Sequence, residues 1–300
     1  MLTVSEIRGI IPAAVTAFTS DEALDEDATA AHVERLLEAG VHGVFSLGTN
    51  GEFFVLSPEE KVRVLQRVVR TVDHRVPVYA GAGAISTRDT VELAKRLAGE
   101  GADVLSVITP YFAQASQDDL VAHFTAVADA VEVPVLLYNI PARTGNAIAP
   151  ATVARLSQHD RIHGVKDSSG NFDTLLQYLE QTDRERFTVL SGNDSLILWA
   201  LLAGGSGGIS GIANIYPRTL VAIYERWAAG DLAGARTAQD SIRTIRTMFK
   251  HGNPNTVVKA ATNLAGSPVG PCRAPFHQLP PAGLEEIAQV VAADHARGLA

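Results

Sequence analysis

The sequence of 300 residues predicts a (β/α)₈ barrel, a TIM barrel, with a C-terminal helical cap. About eight short apolar segments, each followed by a helical segment, succeed one another without a break. These apolar segments do not alternate with polar residues, which is typical of parallel strands covered on both faces. Eight such units in about 230 residues match the size of this fold. A doubly wound open sheet is the alternative, but it would usually carry a glycine-rich phosphate loop after its first strand. Residues 16–21 are not such a loop.

The predicted strands are short apolar segments rich in β-branched residues. They cover residues 10–18, 44–47, 76–80, 104–108, 133–138, 162–166, 187–190 and 207–209. Each leads through a loop into a segment with apolar residues at helical spacing. These predicted helices cover residues 25–39, 57–72, 87–97, 117–130, 150–156, 172–179 and 216–229, and a further apolar helix ends at Ala203.

Capping residues mark several helix ends. Gly40 follows the first helix and is a favourable C-cap residue. Residues 57–60 combine an N-cap serine, a proline at the first helical position and a glutamate three residues after the cap. Ser86 or Thr87 caps the next helix, and Gly99 lies near its end. These signals support the division into alternating strands and helices.

The chain becomes purely helical after Gly230. Helical patterns cover residues 232–250, 255–264 and 284–296, and no linker separates them from the preceding units. We therefore predict a barrel catalytic domain at residues 1–229 and a C-terminal helical extension at residues 230–300.

Composition excludes several classes of protein. The net charge of −8 argues against binding to nucleic acid or to an anionic membrane surface. The single cysteine, Cys272, cannot form an internal disulfide, and no Cys/His cluster has zinc-ligand spacing. Neither a signal peptide nor a membrane-spanning segment is evident in the sequence. The sequence predicts a soluble cytoplasmic protein without a metal.

Lys166 lies where a buried strand ends and a polar turn begins. Catalytic residues of (β/α)₈ barrels lie at the carboxyl ends of strands. Burial favours the neutral form of a lysine amine, which is a nucleophile and forms a Schiff base with a ketone. An ordinary strand-end lysine that reaches water is the alternative.

Tyr138 ends the neighbouring strand and is the candidate proton donor and acceptor that imine chemistry needs. The loop at residues 48–52 (GTNGE) is compact enough to direct backbone N–H groups at an anion. In this loop, Thr49 and Asn50 are candidates to hold the carboxylate of a 2-oxo acid, and the Thr49 hydroxyl could pass a proton to Tyr138. A plain turn between strand and helix is the alternative for the loop.

Arg143 and Tyr111 follow the fifth and fourth strands. A guanidinium at the mouth of a barrel suits the binding of a second carboxylate, and a surface ion pair is the alternative for Arg143. Glu52 and Asp194 are interpreted as helix-start caps rather than as acid–base groups.

Three motifs in this order resemble those of the dihydrodipicolinate synthase / N-acetylneuraminate lyase family. They are residues 48–52, residues 138–145 (YNIPARTG) and residues 164–170 (GVKDSSG). The resemblance covers nearly the whole chain and includes residues 109–111, 191–194 and 253–254. It implies a TIM barrel, class I aldolase chemistry on pyruvate or another 2-oxo acid, no metal or organic cofactor, and a homotetramer or homodimer.

The resemblance also implies roles for individual residues. Lys166 matches the Schiff-base lysine, Tyr138 the catalytic tyrosine, and Thr49 the hydroxyl of the proton relay. The substrate-binding positions implied are Thr49, Asn50, Tyr111, Arg143, Gly192 and Ile209, of which Gly192 and Ile209 line the pyruvate pocket and Arg143 binds the carboxylate of the aldehyde.

Some residues depart from the pattern of dihydrodipicolinate synthases. Phe112 replaces a tyrosine whose hydroxyl reaches into the relay of the neighbouring subunit, and Asn50 replaces a threonine. Residues 167–170 (DSSG) resemble the sugar-acid and hydroxy-oxoglutarate aldolases instead. Against sialic acid lyases, Arg143 replaces an apolar residue and Ser195 replaces a glutamate.

Three functions therefore compete. The first is an aldolase that forms or cleaves a bond between pyruvate and an aldehyde, with a 2-oxo-3-deoxy acid or a 4-hydroxy-2-oxo acid as the product or substrate. The second is 4-hydroxy-tetrahydrodipicolinate synthase, which condenses pyruvate with aspartate semialdehyde. The third is a catalytically silent 2-oxo-acid binding protein. Phe112 favours the first and Arg143 keeps the second open, while the sequence does not identify the aldehyde.

Overall fold

A computed structural model of the protein describes residues 2–276 and 278–300, and its strands form one eight-stranded sheet. The strands are β1 (Gly9–Pro12), β2 (Val44–Ser46), β3 (Val78–Gly81), β4 (Val104–Ile108), β5 (Val135–Asn139), β6 (Ile162–Asp167), β7 (Thr188–Ser191) and β8 (Gly207–Ser210). Their order is β1-β8-β7-β6-β5-β4-β3-β2. A parallel bridge between Ala13 and Phe45 connects the segment after β1 to β2, at the two ends of this order. The predicted (β/α)₈ barrel is confirmed.

Helices alternate with these strands as predicted. They are α1 (Glu26–Glu38), α2 (Pro58–Val72), α3 (Thr87–Gly99), α4 (Gln117–Asp129), α5 (Pro141–Thr144), α6 (Pro150–Leu156), α7 (Phe172–Gln181), α8 (Ile197–Leu202) and α9 (Pro217–Ala228). The C-terminal part adds α10 (Leu232–Ser241), α11 (Arg243–Thr247), α12 (Pro254–Leu264) and α13 (Pro281–Ala296). The start of α2 has the predicted capping box, because Glu60 N–H donates to Ser57 Oγ and Ser57 N–H donates to Glu60 Oε2.

The described chain divides into two compact units. The first consists of Pro77–Ile209 with the N-terminal segment up to Gly9, and the second consists of Ile10–Val76 with Ser210–Ala300. The predicted division into residues 1–229 and 230–300 stays a prediction.

The first unit contains β3 to β7. Every residue of β4, β5 and β7 is buried, as expected for strands covered on both faces. The pairing of β5 with β6 is parallel, and its register places Tyr138 opposite Lys166 and Asn139 opposite Asp167. The carboxyl ends of these strands therefore carry Tyr138 and Lys166, the two residues that the sequence predicts to meet there.

The second unit contains β2, α1, α2 and the helices from α9 onwards. In this unit the first strand is shorter than the sequence predicts. The strand β1 ends at Pro12, whereas the sequence predicts one strand over residues 10–18. Beyond β1, two backbone donors bind side chains: Val15 N–H donates to Asn214 Oδ1 and Ala17 N–H donates to Thr29 Oγ1, each at 3.1 Å. The segment is buried like a strand, but these donors are satisfied outside the sheet.

The predicted helix at residues 232–250 is also divided, into α10, α11 and a 3₁₀ turn at Met248–His251. At the breaks, Ser241 Oγ donates to the Ala238 carbonyl and Thr247 Oγ1 donates to the Thr244 carbonyl, each at 2.7 Å. Such hydroxyls compete with the helical hydrogen bonds and interrupt the helix. Within residues 2–276 and 278–300, no helix is both long and apolar enough to cross a membrane.

Candidate active site

Lys166 and Tyr138 lie side by side at the carboxyl ends of β6 and β5 in the first unit. Their Cα atoms are partners in the parallel register. Lys166 Nζ lies 3.9 Å from the centroid of the Tyr138 ring. Both residues are buried, with 3% of Lys166 and 4% of Tyr138 exposed. The arrangement brings an amine and a phenol together in a site that excludes most water.

This pair has the components that imine chemistry needs. An amine adds to a ketone as a nucleophile, and the steps that follow require proton transfers at the adjacent atoms. A phenol beside the amine is a suitable group for these transfers. Exclusion of water also strengthens the electrostatic interactions of the groups in the site.

Asp167 and Asn139 hold the two strand ends together just beyond this pair. Asn139 Nδ2 donates to Asp167 Oδ1 at 2.8 Å. The Ser169 N–H and Oγ donate to the same carboxylate, and Ile148 N–H donates to Asn139 Oδ1. Burial raises the pKa of Asp167, while its hydrogen bonds with Ser169 and Asn139 oppose that shift. In the sequence, Asp167 is only part of the motif at residues 164–170, and no local pattern indicates this role.

Gly192 follows β7 and provides space beside the lysine. A Cβ atom at this position would lie 3.0 Å from Lys166 Cε and 2.0 Å from Ser168 Oγ. The Gly192 N–H donates to the Asp167 carbonyl at 2.7 Å, which holds the backbone against the end of β6. The structure thus places Gly192 next to Lys166, and its role in lining the pyruvate pocket stays a prediction.

The remaining candidates of the first unit differ in their exposure. Ile209 is buried in β8, Tyr111 is half-buried, and Arg143 is exposed on α5, a short helix that the sequence analysis did not predict. Burial raises the pKa of Tyr111. Phe112 has 96% of its surface exposed and a left-handed backbone with φ of 81°.

Thr49 and Asn50 lie in the second unit, in the loop that follows β2. The Thr49 carbonyl accepts hydrogen bonds from Glu52 N–H at 3.1 Å and from Asn255 Nδ2 at 2.5 Å. The Gly51 carbonyl accepts one from Thr16 Oγ1 at 2.7 Å. The carbonyl groups of Thr49 and Gly51 are therefore occupied by protein donors, which fixes the path of the loop.

Glu52 does not act as the helix cap that the sequence analysis favoured. It occupies the N-cap position of the 3₁₀ turn Phe53–Val55, but its side chain makes no capping hydrogen bond. Its carboxylate is fully buried and forms an ion pair with Lys259. Lys259 lies among apolar residues of α12, and a lysine within such a run was the signal that the sequence analysis missed. Among the described residues, no group of three or more His, Cys, Asp or Glu side chains is placed to hold a metal ion.

Comparison with known proteins agrees with this fold. Residues 6–294 match the model of the dihydrodipicolinate synthetase family. An uncharacterized DapA-like lyase of Halobacterium salinarum is 43% identical over 273 residues, which cover 91% of this chain and 89% of the relative. A 4-hydroxy-tetrahydrodipicolinate synthase of Methanopyrus kandleri is 42% identical over 276 residues, which cover 91% of each chain.

One solved structure is similar to this protein over almost the full length of both chains. YagE, a prophage protein of the dihydrodipicolinic acid synthase family from E. coli K12, was solved in complex with pyruvate. It has a TM-score of 0.93 and 35% sequence identity, and the match covers 96% of this chain and 99% of YagE. Fold and comparisons together define a carbon–carbon lyase of the pyruvate-dependent class I aldolase type. The chain belongs to the dihydrodipicolinate synthetase family. Its substrates are therefore small molecules.

Proposed function

We propose that this protein forms or cleaves the carbon–carbon bond between pyruvate and an aldehyde through an imine on Lys166. The product of condensation, which is also the substrate of cleavage, is a 2-oxo-3-deoxy acid or a 4-hydroxy-2-oxo acid. The observation that carries the proposal is the buried Lys166 amine 3.9 Å from the centroid of the Tyr138 ring. The motif at residues 167–170 and the absence of a hydroxyl at Phe112 favour this choice of substrate.

In the condensation direction, the Lys166 amine attacks the C2 ketone of pyruvate. Loss of water from the resulting carbinolamine gives the imine. Removal of a C3 proton gives the enamine, whose C3 attacks the aldehyde carbon. The aldehyde oxygen takes a proton to become a hydroxyl, and water then hydrolyses the imine and releases the free lysine. Cleavage follows the same steps in reverse.

Tyr138 is the group proposed to move protons in these steps, since a phenol beside the amine can donate to and accept from the reacting atoms. The sequence motif assigns the carboxylate of the 2-oxo acid to the backbone N–H groups of Thr49 and Asn50, and gives the Thr49 hydroxyl a place in the relay. Gly192 leaves room for the imine, and Ile209 and Tyr111 belong to the substrate-binding positions. No metal or organic cofactor takes part in this proposal, and a homotetramer or homodimer is the assembly expected from the resemblance.

A second candidate is 4-hydroxy-tetrahydrodipicolinate synthase. Arg143 is exposed on α5, where it is available to bind the carboxylate of aspartate semialdehyde. Several similar proteins, including those of Methanopyrus kandleri and Methanoculleus marisnigri, are named as this synthase. The third candidate, a silent 2-oxo-acid binding protein, differs from both in having no turnover.

Reductive trapping tests the proposal. Pyruvate and borohydride should add one stable mass to the protein, at the peptide that contains Lys166. Lys166→Ala should abolish this addition while circular dichroism stays native, and Lys95→Ala on α3 should leave it unchanged. Trapping that survives in Lys166→Ala would make the assignment wrong. Trapping in the wild type without turnover of any aldehyde or 2-oxo acid in a panel would favour the binding protein.

A further inference from the structure

A buried ion pair in the second unit joins the C-terminal helix α12 to the loop after β2. Lys259 Nζ lies 2.7 Å from Glu52 Oε1, and 2% of the lysine side chain and none of the glutamate side chain are exposed. Burial lowers the pKa of Lys259, and the charge of Glu52 opposes that shift. Neither side chain has a place in the proposed chemistry.

The other partners of the pair hold its two members in fixed directions. Lys259 Nζ donates to the Pro271 carbonyl at 2.8 Å and lies 4.2 Å from the centroid of the Phe18 ring. Arg273 N–H donates to Glu52 Oε2 at 3.1 Å. Glu52 Oε2 thus accepts a hydrogen bond, and the charge at Oε1 is balanced by the Lys259 ammonium, since a buried charge needs a partner of opposite sign.

The same helix contacts the loop at a second point. Asn255, four residues before Lys259 and therefore on the same face of α12, donates from Nδ2 to the Thr49 carbonyl at 2.5 Å. The two contacts hold both ends of the segment from Thr49 to Glu52. The Thr49 carbonyl and the Asn50 N–H belong to one planar peptide group, so the contact from α12 also sets the direction of the Asn50 N–H.

The loop has a shape that its own sequence does not favour. Leu47 and Glu52 both have left-handed backbones, with φ of 60° and 55°. Residues other than glycine adopt this region at a cost in energy and stay there when their surroundings impose it. Contacts from outside the loop are therefore needed to hold it.

A buried ion pair is not required for stability as such. Well-packed apolar residues of similar volume often serve as well or better. Apolar packing is not directional. The ion pair at 2.7 Å, in contrast, fixes the orientation of the Glu52 side chain and of the backbone that carries it. This difference separates a positioning role from a purely structural one.

We infer that Lys259 is a positioning residue for the aldolase reaction: through Glu52 it sets the loop whose Thr49 and Asn50 N–H groups receive the carboxylate of the 2-oxo acid. This inference rests on the proposed function for the role of the loop. The C-terminal helices then form part of the apparatus that positions the substrate.

The test uses the full chain with three variants. Lys259→Met removes the ammonium and leaves Glu52 buried without its partner. The double variant Glu52→Gln with Lys259→Met leaves no unpaired charge, so it should recover thermal stability although the ion pair between α12 and the loop is still absent. Asp294→Asn is the matched control, because Asp294 is a fully buried carboxylate on α13 that pairs with Tyr216 and Arg297 rather than with the loop.

Two readouts distinguish the roles. In the free protein, hydrogen exchange of the peptide that contains residues 47–53 should speed up roughly tenfold or more in the single and double variants and not in Asp294→Asn. In turnover assays below the melting temperature, KM for pyruvate should rise roughly tenfold or more in both loop variants, while KM for the aldehyde stays within about twofold.

The outcomes separate this inference from the proposed function. A double variant with wild-type exchange in the loop and wild-type KM for pyruvate would overturn the positioning role. Equal effects on KM for both substrates would also overturn it, since they indicate general damage. If the wild type forms no pyruvate imine on Lys166, the proposed function fails, and the exchange measurement still decides whether Lys259 holds the loop.

Discussion

Arg143 is the residue on which the choice of aldehyde depends most directly. It is exposed on α5, two residues before the left-handed Gly145 that ends this short helix. We predict that Arg143→Ala raises KM for an acidic aldehyde such as aspartate semialdehyde. A hydrogen bond to a charged group contributes about 2–3 kcal/mol, so the rise should be roughly 30- to 150-fold. Steady-state kinetics with acidic and neutral aldehydes would measure it.

A matched control for Arg143 is available on α6. Arg155 is an exposed arginine whose guanidinium pairs with Asp118 at 3.1 Å on the surface, so Arg155→Ala should leave every KM near the wild-type value. Borohydride trapping of pyruvate should also be unaffected in Arg143→Ala. If KM is unchanged for all acidic acceptors, Arg143 has a structural role.

Phe112 separates the two enzymatic candidates. In dihydrodipicolinate synthases the resemblance places a tyrosine hydroxyl of a proton relay at this position, and phenylalanine cannot carry a proton. Loss of one relay member typically costs about 10²–10⁴-fold in proton-transfer catalysis. We therefore predict feeble condensation of pyruvate with aspartate semialdehyde, and clearly better cleavage of a 2-oxo-3-deoxy acid or a 4-hydroxy-2-oxo acid. The measurement is kcat/KM for both reactions.

Restoring the hydroxyl is the complementary experiment. Phe112→Tyr should raise the synthase activity at least roughly tenfold. Phe54→Tyr, which adds a hydroxyl to another partly exposed phenylalanine, should have no such effect. Vigorous synthase activity in the wild type would contradict this prediction and favour 4-hydroxy-tetrahydrodipicolinate synthase.

At the scale of elements, the end of β7 controls the space around the lysine. In Gly192→Ala the new methyl group would overlap Ser168 Oγ, at 2.0 Å, and press on Lys166 Cε, at 3.0 Å. A shift of about 1 Å in a reacting group can cost 10²-fold in rate. We predict that the rate of imine formation falls roughly tenfold or more, measured by borohydride trapping over time.

The control for this prediction is Gly99→Ala. Gly99 ends α3 and a Cβ atom there would meet nothing within 4 Å, so imine formation should be unchanged. A Gly192→Ala variant that forms the imine at the wild-type rate would show that the loop after β7 yields easily, and the spatial role of Gly192 would be lost.

At the scale of the whole molecule, a buried histidine makes stability depend on pH. His32 is fully buried, with Nδ1 at 2.8 Å from Ser267 Oγ and Nε2 at 2.9 Å from Asn214 Oδ1. Burial lowers its pKa from 6.5 to about 4, and the nearby Arg35 adds to this shift. Below pH 6.5 the His32 imidazole is protonated in the unfolded chain, whereas in the folded protein it stays neutral down to about pH 4. The free energy of unfolding therefore falls as pH falls through this window.

We predict that this histidine removes about 2 kcal/mol from the free energy of unfolding between pH 7 and pH 5. His32→Gln should abolish that part of the pH dependence in urea titrations, although it lowers stability at pH 7. The pKa of His123 is also lowered to about 4 by burial, so some pH dependence remains. His74→Asn, at an exposed site, should behave as the wild type, and an unchanged pH dependence in His32→Gln would refute the prediction.

The sequence by itself determined the fold class and the lysine–tyrosine pair. Apolar strands that alternate with capped helices have few other ways to bury their surface, and neighbouring parallel strands bring their carboxyl ends to one edge. The positions of Lys166 and Tyr138 at consecutive strand ends were therefore sufficient to predict that they meet. The comparisons confirm the family that the motifs suggested.

Only the tertiary structure decided which groups, distant in sequence, hold the loop after β2 and which groups surround Lys166. Thr49 and Asn255 are 206 residues apart in sequence and 2.5 Å apart in the hydrogen bond that joins them. Local patterns indicate hydrogen bonds within a helix or a turn, so the sequence predicts that Glu52 caps the start of a helix, whereas the structure pairs it with Lys259. The sequence likewise predicts a strand over residues 13–18. Apolar residues indicate that a segment is buried, but they do not indicate which acceptor each backbone N–H group binds. Those partners are set by packing between elements, which the local sequence does not specify.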